Sequence, residues 1–141
     1  MNISVPQAVN LTAIESLGGF LDKYPSLSLI LKQSKHPSQD WDFFMTVAGT
    51  GLYLYSRHKT DEEIKNVSYD LAKIHKEMPA AMNNYLEFTY NSMKAKEAEV
   101  NAVTGIWILW NIMGHAPEYE ESKALAPAIG TFLSLVISEF L

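Results

Sequence analysis

The chain has 141 residues, 48% of them apolar and 19% charged, with no cysteine and a formal net charge of −5. A chain of this length suits one domain around a single core, and the lack of cysteine excludes disulfides, thiolate metal sites and cysteine nucleophiles. Arg57 is the single arginine and the lysines are scattered; without clustered cations to displace counterions, nucleic acid is not an expected partner.

The first segment, MNISVPQAVNLTAIES, has no basic residue ahead of its apolar positions and does not read as a secretory signal. Val9, Ala13, Leu17 and Phe20 predict a helix over Gln7 to Leu21, broken at Tyr24-Pro25 and followed by a short helix through LSLILKQ. The segment DWDFFMTVAGTGLYLYSRH admits two readings. It fits a helix capped by Ser38, with Trp41, Phe44, Ala48, Leu52 and Tyr55 inward. It also fits a β-hairpin of FFMTVA and LYLYS around Gly-Thr-Gly. Two glycines inside a helix would cost roughly 1 kcal/mol each against alanine, but an isolated two-stranded hairpin among helices is marginal, and the helix is expected.

TDEEIKNVSYDLAKIHKEM is the clearest element. Thr60 with Glu63 fits a capping box, and Ile64, Val67, Leu71, Ile74 and Met78 form one apolar stripe. Pro79 suits the start of a new helix, in which Met82, Leu86, Thr89 and Met93 repeat the period with Tyr85 and Tyr90 on the flanks. A bend is expected in KAKEAE. The next helix carries Val103, Ile106, Trp107, Trp110 and Met113, widened by Ile108, Leu109 and Ile112, which predicts a central position. Gly114 should end it in the left-handed conformation, with Glu118, Glu120 and Glu121 opening another helix beyond Pro117. The final segment, SKALAPAIGTFLSLVISEFL, is helical by spacing and starts or kinks near Pro127.

The expected architecture is therefore all-α: a single domain over residues 1–141, bundling five or six helices. No apolar run approaches the roughly 20 residues of a membrane span, so two buried core helices are the better reading of Val100 to Pro117 and Ala124 to Ser138, which hold no formally charged side chain. A cytoplasmic protein is expected, working without a cofactor.

Catalytic patterns are weak. His115 could act as a general base steered by Glu118 beneath Trp107 or Trp110, but these residues also fill ordinary capping and packing roles at a helix junction. His58 with Asp61 and Glu62 could chelate only by straddling a helix cap. The residues three before the four histidines are Gln33, Tyr55, Ala72 and Ile112, so the Glu-x-x-His pairs of a di-iron bundle are missing, and no metal site is expected. Gly49 to Gly51 leads into Leu52, Tyr53 and Leu54 and is no phosphate loop.

Two surfaces remain. Ala126, Gly130, Ser134 and Ser138 recur every fourth residue, a ribbon of small side chains beside an apolar end, Phe140-Leu141. It would either pack on the protein's own central helix or form a two-fold contact between subunits. Charge is also uneven, with four acids against Lys123 alone after residue 100, and complementary potential steers association. The expected function is thus a binding or interaction module that engages a protein partner, a basic one or a second copy of itself, as a homo-oligomer. The alternative is a small-molecule pocket lined by Trp41, Trp107, Trp110 and the methionines, with His115 or a tyrosine as polar contact. A small enzyme using His58 or His115 is the third reading.

Overall fold

A computed structural model describes residues 3–57, 59–95, 99–118, 120 and 123–141. Among them the chain forms seven α-helices and no strand: α1 (Val5–Lys23), α2 (Ser26–Leu31), α3 (Pro37–Ser56), α4 (Asp61–Ile74), α5 (Met78–Lys94), α6 (Val100–Met113) and α7 (Leu125–Ile137), with a 3-10 turn over Ser138–Phe140. The all-α expectation holds, but the count is seven rather than five or six, with the short α2 standing as a helix of its own.

The caps explain the boundaries. Ser4 and Gln7 close a reciprocal capping box on α1, with Pro6 in its first turn. Thr60 Oγ1 accepts from Glu63 N at 3.1 Å and starts α4 with three acids in the first turn. α4 stops earlier than its stripe suggests. His75 is extended at φ −157°, and its Nδ1 accepts from Glu77 N at 3.1 Å, so Met78 opens α5 instead of closing α4. Gly114 ends α6 at φ 81°, the left-handed region that glycine enters without strain.

The ambiguous segment is a helix. α3 begins two residues sooner than expected, with His36 rather than Ser38 as N-cap and Pro37 in the first turn. It is also the central element: every residue from Met45 to Leu54 is buried, and it packs on α1, α4, α5, α6 and α7. The central position expected for the tryptophan helix therefore belongs to α3, since α6 leaves Trp110 43% exposed. Its glycines answer the hairpin reading. A β-carbon on Gly49 would press into Val9 and Leu133, and one on Gly51 would overlap the Tyr85 ring. Their cost in helix propensity is set against close packing on both sides of the helix.

α1 lies antiparallel on α3, with Trp41 Nε1 donating to Ala13 O at 3.2 Å at one end and Asn10 Nδ2 to Thr46 Oγ1 at 3.0 Å further along. α6 and α7 form the closest helix pair, also antiparallel. A β-carbon on Gly105 would overlap the carbonyl of Ala126, one on Gly130 that of Asn101, and Ser134 Oγ donates to Asn101 Oδ1 at 2.7 Å. No helix among the described residues is long and apolar enough to cross a membrane.

Candidate functional site

The four residues expected to line one pocket are dispersed. Trp41 is fully buried, its indole bonded to Ala13 and its ring 5.3 Å from that of Phe20. Trp107 is buried between Phe44 and Tyr85, with Nε1 donating to Asn84 Oδ1 at 3.0 Å. Trp110 faces outward against Phe88. His115 is exposed, its ring nitrogens 2.9 Å from Ala116 O and 3.1 Å from Gln33 Oε1. That ring ties the end of α6 to the loop after α2. His58, the other catalytic candidate, lies outside the described residues, as do Tyr119 and Glu121. Among the described residues no three histidines or carboxylates gather as a metal site would require.

The small-residue ribbon is occupied by the chain itself. Ala126 and Gly130 are buried and Ser134 is half-buried, all three against α6. Ser138 is exposed and bonds back to Leu135 O at 2.6 Å. Phe140 packs at the edge of the core, whereas Leu141 is exposed. The ribbon packs on α6, the helix expected to be central, although the centre belongs to α3; Tyr85, placed on a flank by its spacing, is fully buried.

The buried polar centre lies at that tyrosine. Thr104 Oγ1 donates to Val100 O at 2.8 Å, so its 2.7 Å contact with Tyr85 uses the phenol proton. Burial pushes the Tyr85 hydroxyl up to about 12. It is enclosed, with the ring seated against Gly51 and Trp107, and its geometry makes it a core strut.

The accessible feature is a groove of about 590 Å³ between α1 and α7, on the face of α7 opposite the ribbon. Phe20 and Phe132 meet edge to face at 5.3 Å on its floor, Phe20 resting on Trp41 beneath. Ser16, Gly19, Lys23 and Tyr24 line the α1 side; Pro127, Ala128, Thr131 and Leu135 line the α7 side. A β-carbon at Gly19 would meet nothing within 4 Å, so the missing side chain keeps that wall low. Leu135 is 67% exposed. Among the described residues of the lining there is one charge, Lys23, and no carboxylate.

This groove was not among the sequence candidates, yet its signal was present. Thr131 and Leu135 stand a helical turn apart on a stretch without a formal charge, on the side facing away from Ala126 and Gly130. An apolar position at the middle of a solvent-facing stripe has no core to join. No protein-family profile, characterised protein or solved structure matches this chain.

Proposed function

We propose that this protein is a binding module and that its working surface is the α1–α7 groove, which takes the apolar part of a ligand. The observation that carries the reading is the groove itself: an open, apolar concavity with an aromatic floor, of a volume typical of small-ligand sites. Its polar groups are few, as in sites where apolar contact supplies affinity and a small number of polar atoms set orientation. None of the described residues lining the groove is a carboxylate, so a basic partner is not what this surface suits.

Trp41 supplies the test. Its indole packs on Phe20, which lines the groove, so an occupant should change its emission. In a Trp110→Phe background, which removes the exposed indole, titration with dodecanol below its solubility limit should shift Trp41 emission saturably. Leu135→Asp should abolish the shift while leaving the circular-dichroism spectrum unchanged. A response that does not saturate, or that Leu135→Asp leaves intact, contradicts the reading.

A second reading keeps the surface and changes the occupant. Leu135 is a large apolar side chain held out to solvent on an uncharged helix face, which a second copy of the chain could cover. Sedimentation at increasing concentration tests this: a monomer at every concentration removes it, and a dimer dispersed by Leu135→Asp supports it.

A further inference from the structure

On the reading that the groove is the binding surface, we propose that its ligand is a small amphiphile with a single anionic head group, of the fatty-acid class. Its chain lies along Phe20, Phe132 and Leu135 and its carboxylate pairs with Lys23.

The charge pattern carries the argument. In a chain of net charge −5, the ten residues lining the groove include one cation and no anion. Asp22 precedes Lys23 in the chain, but adjacent residues on a helix do not face each other. The positions three and four residues away are Gly19, Phe20, Ser26 and Leu27, so no carboxylate lies one helical turn from it on α1. Among the described residues no carboxylate reaches ion-pair distance, and the ammonium instead sits 5.8 Å from the centre of the Tyr24 ring. An exposed cation bordering an apolar trough suits an apolar molecule with one negative end.

The start of α7 works in the same sense. Pro127 and Ala128 of its first turn line the groove. Among the described residues that helix has no side-chain cap bond at Ala124 and no acid in its first turn, where the positive end of its dipole lies. The end of α1 works in the opposite sense, since its terminal carbonyls repel an anion and Lys23 is the one basic residue of its last turn. Removing the lysine should therefore disfavour an anion beyond the loss of one attraction.

Size selects a small molecule over a partner helix. The lining spans Ser16 to Tyr24 on one helix and Pro127 to Leu135 on the other, about 12 Å of each at 1.5 Å per residue. A stable protein interface uses roughly 20–30 residues a side, about two to three times the ten that line the groove.

The test compares three ligands of equal chain length on the full chain by calorimetry: laurate and dodecylamine below their micelle concentrations and dodecanol below its solubility limit. Laurate should bind roughly twofold to fivefold more tightly than dodecanol, the range expected for an exposed charge pair, and dodecylamine more weakly than either. Lys23→Glu should reverse the order of laurate and dodecylamine, and Leu135→Asp should weaken all three. Equal affinities, or an order that Lys23→Glu leaves unchanged, overturn the head-group assignment and leave the groove reading standing. No binding by any ligand, binding only above the micelle concentration, or binding indifferent to Leu135→Asp overturns both.

Discussion

A β-carbon at Gly130 would overlap the carbonyl of Asn101, whereas one at Gly18 would meet nothing within 4 Å. Both residues sit inside helices, so the same substitution should have opposite signs. Gly18→Ala removes backbone freedom from the unfolded chain and should stabilise by about 0.5–1 kcal/mol. Gly130→Ala must push two backbones apart and should destabilise by about 3 kcal/mol, the upper part of the usual range for overpacking. Urea denaturation midpoints of the two variants check both signs. Tyr85 gives a second residue-scale expectation. In the unfolded chain its phenol ionises near pH 10; folded, burial holds it neutral up to about 12. Its contribution is therefore complete below pH 10 and is lost as pH rises through 12, about 2–3 kcal/mol over that window. Stability measured against pH should fall there, and Tyr85→Phe should flatten the fall while costing about 1 kcal/mol at neutral pH through the lost bond to Thr104.

Among the elements, α4 and α3 stand at opposite extremes. α4 buries only Val67 and Leu71, while α3 is enclosed over ten consecutive residues. Helices of 14 residues with little tertiary cover depend on their ends. Thr60→Ala should therefore cost about 1 kcal/mol by removing the cap to Glu63 N, and hydrogen exchange should show α4 amides opening locally while those of α3 open only with global unfolding. These two helices also show what a sequence makes legible. The start of α4 could be read from its residues, because the Thr60 cap and the acidic first turn are local signals that agree, although its stripe overran the stop at His75. α3 could not, because Gly49 and Gly51 look like helix breakers until Val9, Leu133 and Tyr85 are seen against them. Propensity is a property of neighbours in the chain; the space a glycine vacates is filled from elsewhere. The same distinction explains the tryptophans. Their helical spacing was readable, but spacing cannot say that Trp41 turns toward α1 while Trp107 turns toward α5.

For the molecule as a whole, fold class followed from periodicity, and the candidate site did not. A groove forms where two helices distant in sequence, α1 and α7, fail to close on each other above a shared aromatic floor, and no pattern within either helix encodes the gap. Its two walls are built differently. α7 is locked to α6 with peptide backbones almost touching at Gly105 and Gly130, whereas α1 rests on α3 through ordinary side-chain packing and a few long-range bonds. One jaw of this vice is bolted to the bench. When a guest wider than the slot arrives, the accommodation has to come from α1 pivoting outward, and it is the amino-terminal helix, with Trp41 beneath it, that should report the strain.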